Sequence, residues 1–315
     1  MFVLDSHCDT PSEICRGRDL RLDNASGHLD IPKLVNSGVD GAFFALYVPA
    51  SLDSEPEEAF RHADNLLVNL VKVVESNGDR LAFARSETQA RENKSQGLFS
   101  VFIGLENGSP IGKSLERIRW FHDRGVRYIT LCHSENNEIC DSCAPKQKRW
   151  GGLSPFGREV VAEMNRLGIL VDVSHVSDDT FYDVLECSAK PVVATHSCCR
   201  ALSDHPRNMT DEMIRDLAAK GGVIQINFYP VFLDVTLLEN EVPFTRIADH
   251  IDHVVNLVGV DHVGIGSDFD GIDSVPVGLE DVSRMPVLFD ELRRRGYSDS
   301  DLCKIAGGNF FRCLE

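Results

Sequence analysis

Short apolar, β-branched runs alternate along the chain with longer stretches whose apolar residues recur at helical spacing. The runs FVLDSHC (2–8), GAFFALYV (41–48), LFSVFIGLE (98–106), VRYITLCH (126–133), ILVDVSH (169–175), PVVATHS (191–197), GVIQINFY (222–229) and HVGIGSD (262–268) predict eight strands. Helices are predicted over 57–76, 114–124, from 154 onward, 177–186, 210–220 and 244–258, with two more within 280–306. Several open on Ser or Thr followed by acids, the chemistry of an N-cap. The interval after the first strand shows no clear helix. Strands alternating with helices pair in parallel, and eight such units close most economically as one α/β domain over 1–315, a (β/α)8 TIM barrel. A doubly wound open sheet is the competing arrangement.

With 43% hydrophobic and 26% charged residues and no low-complexity tract, the chain can bury a large core throughout. A formal net charge of −17 repels a phosphate backbone, so nucleic acid is excluded as a partner. No apolar run approaches the roughly 18 residues of a membrane span. The opening MFVLDSHCDT lacks the basic and apolar regions of a secretory signal. The expectation is a cytoplasmic protein without a membrane anchor. Ten cysteines then read as thiols. Cys140 and Cys143 form a C-x-x-C with no second pair to complete a zinc knuckle and read as plain loop thiols, whereas the vicinal Cys198 and Cys199 are candidates for oxidation.

Chemistry gathers where the strand runs end. His7 and Asp9 close the first, Glu106 the third, His133 the fourth, His175 the fifth, His196 the sixth and Asp268 the eighth. In a parallel barrel these ends share one face, the face that carries active sites. Alternation along a strand turns His7 and Asp9 to the same side. A lone strand-end His is usually a structural residue, and a strand-end Asp often caps the next helix. Four imidazoles and three carboxylates crowded on one face, however, cost several kcal/mol unless a cation compensates them. The donor set suits zinc and exceeds what one tetrahedral ion with an open position requires, so two ions fit better. Asp5, two residues deeper, reads as a partner of a ligating His, and Asp270 ranks behind Asp268. No role falls to His28, His62, His122, His205, His250, His253 or His262, with His62 and His122 expected on solvated faces. GSPIGKS (108–114) is not a phosphate loop, because three residues rather than four separate its glycines and Pro110 removes an amide.

The motifs DSHCDTP, GLENG, LCHSEN, DVSH, THSCCRAL, HPRN and GSDFDG, in that order, resemble those of the membrane (renal) dipeptidase family of zinc peptidases. The resemblance extends from His7 to the closing GGNFFRCLE. It implies a (β/α)8 barrel and hydrolysis of dipeptides, including those with a D-residue at the C-terminal side. By matching motif it implies that His7 and Asp9 bind one zinc, that His175 and His196 bind the second, and that Glu106 bridges both. It further implies that His133 polarises the scissile carbonyl, that Arg207 faces the substrate, and that Asp268 holds the water between the metals and moves its proton. Cys8, between the first two ligands, should point away from the metals. The family's habit allows a homodimer. Two alternatives stand beside it: another amidohydrolase on the same barrel (cyclic amidase, deaminase or phosphotriesterase), and a non-catalytic metal-binding barrel. The first usually begins with His-x-His where this chain has His-x-Asp. The second usually loses the proton-transfer groups that this chain keeps.

Overall fold

The computed structural model describes residues 1–315. The apolar runs form strands β1 (Leu4–Cys8), β2 (Gly41–Tyr47), β3 (Leu81–Phe83), β4 (Phe99–Glu106), β5 (Val126–Thr130), β6 (Leu170–Asp172), β7 (Val192–Ser197), β8 (Val223–Ile226) and β9 (Val263–Ile265). Eight of them pair in the order β1-β2-β4-β5-β6-β7-β8-β9, every pair parallel. The ring meets itself at the strands' C-terminal ends, where Asp9 N–H donates to Phe269 O (2.8 Å) and Asp268 N–H to His7 O (3.0 Å). An order without reversal, returning to its first strand, is a barrel and excludes the doubly wound sheet.

Three differences from the sequence pattern have physical causes. The runs 126–133, 169–175 and 262–268 continue past their strands, which end at Thr130, Asp172 and Ile265. His175 and Asp268 adopt φ of 72° and 64°, which a strand cannot accommodate, so the last residues of those runs turn over the barrel mouth instead. The interval after β1 carries two helices, Thr10–Cys15 and Ile31–Val35, too short to show a period. Strand β3 and the helix Glu87–Ser95 are additions the pattern did not show. β3 is three residues long and pairs with Phe99–Val101 of β4, and the helix buries only Ala90, so it has no apolar stripe to read.

The cap chemistry forms as the sequence predicts at three helices. The hydroxyls of Ser154, Ser177 and Thr210 accept from the backbone N–H of Gly157 (2.9 Å), Thr180 (3.2 Å) and Met213 (3.2 Å). Ser114 sits at its N-cap without making that bond. No helix is long and apolar enough to cross a membrane.

The apolar core has two parts. The larger lies between strands and helices and includes Cys8. The smaller includes one residue from each of seven barrel strands (Leu4, Phe43, Phe102, Tyr128, Leu170, Val193 and Val223), joined by Phe310 and Phe311 of the C-terminal helix Asn309–Leu314. Phe43 anchors this aromatic stack, with ring centroids 4.8 Å from Phe102, 5.1 Å from Tyr128 and 5.2 Å from Phe310. Side chains on β4 alternate, so Phe102, Gly104 and Glu106 share a face. Phe102 joins the stack, and Glu106 stands two steps nearer the mouth.

Gly104 is paired with Tyr128, and a Cβ there would run into the Tyr128 ring. Gly104→Ala is therefore expected to destabilise the fold by about 1–3 kcal/mol through overpacking. Urea unfolding measures this, and a midpoint equal to wild type would show that the ring has room to move.

Candidate metal centre and active site

Beneath the mouth lies a layer of buried polar side chains. Asp172 Oδ2 accepts from Thr130 Oγ1 (2.6 Å) and Thr195 Oγ1 (2.7 Å), while Oδ1 accepts from the backbone N–H of Ser174 (3.0 Å) and Thr195 (2.9 Å). Thr195 has one hydroxyl proton, and Asp172 receives it. Its contact with His196 Nδ1 at 2.8 Å must then be one in which the imidazole donates, leaving Nε2 as a lone pair directed away from the layer. His7 is anchored from the same side, its Nδ1 2.7 Å from the hydroxyl of buried Tyr128. Partners of this kind set the tautomer and ring orientation of a metal-binding histidine.

Above this layer six of the strand-end residues converge around the seventh, the carboxylate of Glu106. Glu106 Oε2 lies 3.5 Å from His7 Nε2, and Oε1 lies 3.1 Å from His175 Nε2, 3.5 Å from His196 Nε2 and 4.0 Å from His133 Nε2. On the first side, His7 Nε2 is 3.4 Å from Asp9 Oδ2 and 3.9 Å from Asp268 Oδ1. On the second, His175 Nε2 and His196 Nε2 approach to 2.9 Å. His7 and His196 are fully buried, and His133 is the most exposed of the set at 22% of its side chain.

The charge balance of this cluster is unusual. Burial opposes the charged form of His7, yet Glu106 and Asp9 outweigh it and hold the imidazole well above its ordinary range. Burial likewise opposes the Glu106 carboxylate, but His7, His175 and His196 hold it well below. Burial and the neighbouring Glu106 push Asp9 up, while burial and Arg207 push His175 down. The side chains alone satisfy this cluster incompletely: His7 Nε2 and Asp9 Oδ1 are buried with no hydrogen-bond partner. Three sets of donor atoms, each within 4.8 Å of one another, could hold a metal: His7, Glu106 and His196; Glu106, His133 and His175; and His7, Asp9 and Asp268. Unpartnered buried donor atoms, closely facing imidazole nitrogens and a carboxylate offering an oxygen to each side fit divalent cations with nitrogen and oxygen preference, whose binding would displace the His7 proton.

His133, His175 and Asp268 each lie three residues beyond a strand end, on loops. Asp9 arrives differently from the alternation expected. β1 shifts register between Asp5 and Cys8, and Asp9 occupies the N-cap of helix Thr10–Cys15. Asp5 does not support a histidine ring. It accepts from Ser267 N–H (2.8 Å) and Ser267 Oγ, one residue before Asp268, and burial pushes it up to about 6. Tyr128, Thr195, Asp172 and Asn227 are supporting residues that the sequence pattern did not single out, because each lies inside a strand-like run or just past one, where such residues are ordinary. Asn227 Nδ2 donates to Asp268 Oδ2 at 2.8 Å. Four non-glycine residues have positive φ (Asn107, His175, Asp268 and Asp270), and all follow barrel strands at this end. Cys198 and Cys199 are buried, and burial raises both thiols, which disfavours the thiolate that oxidation requires. His62 is half-buried against Tyr47 O (3.2 Å) rather than solvated.

The mouth opens into a cavity of about 550 Å³ whose lining includes Asp9, Glu106, His133, His175, Arg207 and Asp268. Arg207 donates from Nη2 to His196 O (3.0 Å), while its Nε is buried without a partner.

The family model for membrane dipeptidases, peptidase family M19, matches residues 1–315. Dipeptidase aclJ of Aspergillus oryzae is 38% identical over 319 residues, covering 99% of this chain and 75% of its own. An uncharacterised dipeptidase of Schizosaccharomyces pombe is 35% identical over 330 residues, covering 98% and 79%. Among solved structures, a Rhodobacter sphaeroides metallopeptidase bound to a phosphinate mimic of the dipeptide L-Ala-D-Ala superposes with a TM-score of 0.90 at 29% identity, covering 100% of this chain and 98% of its own.

If Tyr128 orients His7 for a metal, Tyr128→Phe should lower zinc affinity about 10–100-fold while leaving the fold intact. Competition against a chromophoric chelator reads this, and an unchanged affinity would remove Tyr128 from that role.

Proposed function

The chain belongs to the membrane dipeptidase family, peptidase family M19, and is a metallo-dipeptidase, a hydrolase of peptide bonds; from this we propose that it works with two zinc ions and accepts L-Xaa-D-Xaa as well as L-Xaa-L-Xaa dipeptides. His7 and Asp9 would hold one ion and His175 and His196 the other, with Glu106 serving both. The observation that carries this reading is the Glu106 carboxylate, with Oε2 3.5 Å from His7 and Oε1 3.1 Å from His175 and 3.5 Å from His196.

When bound, such a pair of ions lowers the pKa of water toward ~7 and places positive charge against a tetrahedral oxyanion. The remaining work falls to the chain. Asp268, with Oδ2 occupied by Asn227, has Oδ1 free to take the proton from the attacking water and pass it to the departing amine. Burial lowers His133, so its ring is neutral near pH 7. Its Nδ1 lies 3.2 Å from Ser134 Oγ, and with that hydroxyl as the donor Nε2–H would face the developing oxyanion. Arg207, tied by Nη2 to the carbonyl of His196, lines the cavity and offers its guanidinium charge to the substrate, fixing its orientation.

A cavity of about 550 Å³ suits a short peptide. The L-Ala-D-Ala mimic held by the Rhodobacter sphaeroides relative supports tolerance of a D-residue. Ten free cysteines suit a reducing cytoplasm.

The test is a matrix of L-Xaa-L-Xaa and L-Xaa-D-Xaa dipeptides, followed by amine release, with zinc content measured on the same sample. Chelator-sensitive turnover at two zinc per chain is expected, and one zinc at full activity would refute the two-ion arrangement. Asp268→Asn should keep the zinc and lower kcat by about 10²–10⁴-fold, so an unchanged kcat would remove Asp268 from the mechanism. His196→Ala should lose zinc, and two retained equivalents would refute its place as a ligand.

A further inference from the structure

We infer that Asp270 is a positioning residue for the dipeptidase reaction: it locks the turn that carries Asp268 onto the segment that carries Asp9. The inference rests on the reading of Asp268 as the proton carrier and adds what holds it in place.

Asp268 and Asp270 both lie in the left-handed region, with φ of 64° and 66°. Two such residues separated by one are unstable unless the surroundings over-determine them. At Asp270 they do. Its carboxylate is 1% exposed and is met by three donors from the segment after β1. Oδ2 accepts from Thr10 Oγ1 at 2.8 Å. Oδ1 accepts from His28 N–H at 2.9 Å and lies 2.6 Å from Arg18 Nη1. The Arg18 contact is poorly aligned for an N–H bond, so it is an ion pair rather than a hydrogen bond. The backbone N–H of Asp270 donates in turn to His28 Nδ1 at 2.9 Å. Every polar atom facing Asp270 therefore comes from Thr10, Arg18 or His28.

Thr10 is the residue after Asp9, and Asp270 is two residues after Asp268. The Thr10–Asp270 bond thus sets the separation between a proposed metal ligand and the proposed proton carrier. The next residue tightens the same register: a Cβ on Gly271 would collide with Asp9 Oδ2 and Asp268 Oδ1. Asn227 fixes Asp268 from β8's side through Oδ2, and Asp270 fixes its backbone from β1's side. Asp270 stands on the wall of the cavity, but its carboxylate is buried and taken up by Thr10, His28 and Arg18, so it acts through Asp268.

The experiment compares wild type, Asp268→Asn, Asp270→Ala and Asp270→Asn for kcat, KM and zinc content, with crystal structures of the two Asp270 variants. Asp270→Ala is expected to lower kcat about 100-fold, as a displacement near 1 Å does, with KM within about threefold of wild type and zinc unchanged. In its crystal structure Asp268 should leave φ near 64° or lose its bond to Asn227. Asp270→Asn, whose amide keeps an acceptor toward His28 and Arg18, should restore most of the loss. An Asp270→Ala protein with wild-type kcat, or one whose Asp268 keeps both its φ and its Asn227 bond, overturns the inference. So does Asp270→Asn failing to restore kcat. An active Asp268→Asn instead overturns the proton-carrier reading. Should Asp270→Ala not fold, Thr10→Val removes a single donor, and a kcat equal to wild type in that variant overturns the inference on its own.

Discussion

The arrangement at the barrel mouth depends on one buried carboxylate. Glu106, 4% exposed, is held well below its ordinary range against its burial, first of all by the charge of His7. A charge this deep costs several kcal/mol if unpaired, so each residue that aims an imidazole at it is constrained in turn. Tyr128 and Thr195 fix the rings of His7 and His196 from below, and Asp172 fixes Thr195. The interior is layered accordingly, with an aromatic stack centred on Phe43, then hydroxyls and a carboxylate, then the imidazoles. Tyr128 belongs to the first layer by its ring and to the site by its hydroxyl, and for that reason Gly104 must leave it room.

Strain is concentrated at the same end. Asn107, His175, Asp268 and Asp270 hold positive φ immediately after barrel strands, a conformation that costs energy at non-glycine residues. Each is held by neighbours: Asn107 donates to Val48 O (3.0 Å) and Asp53 (2.7 Å), and Asp268 is tied to Asn227. The sharp turns let side chains from loops point inward over the mouth, where regular strands would send them past it. Stability is given up locally to bring donors within 4 Å of one carboxylate, and the rest of the barrel supplies the rigidity that makes this possible.

The family relationship and the geometry bear on different questions. The match over 1–315 establishes a peptide-bond hydrolase that uses metal. The geometry bears on how the side chains are held: His196, its tautomer fixed by Thr195, faces the Glu106 carboxylate, Asp268 has one oxygen bound to Asn227, and Arg207 has one unpartnered nitrogen.

The sequence by itself determined the architecture and marked the residues proposed for the site, because both rest on local signals. Short apolar, β-branched runs alternating with amphipathic intervals specify a parallel barrel, and metal-binding residue types at the ends of those runs mark one face. It could not show β3 or the helix Glu87–Ser95, since three residues and a helix without an apolar stripe carry no period. Nor could it show that Asp9 comes from a helix cap, that Asp5 serves Ser267 instead of a histidine, or that Asp270 is bound to Thr10, Arg18 and His28. Those facts belong to tertiary structure because hydrogen-bond partners lie up to 262 residues apart in the chain, as Asp5 and Ser267 do. Only closure of the barrel brings such atoms within reach.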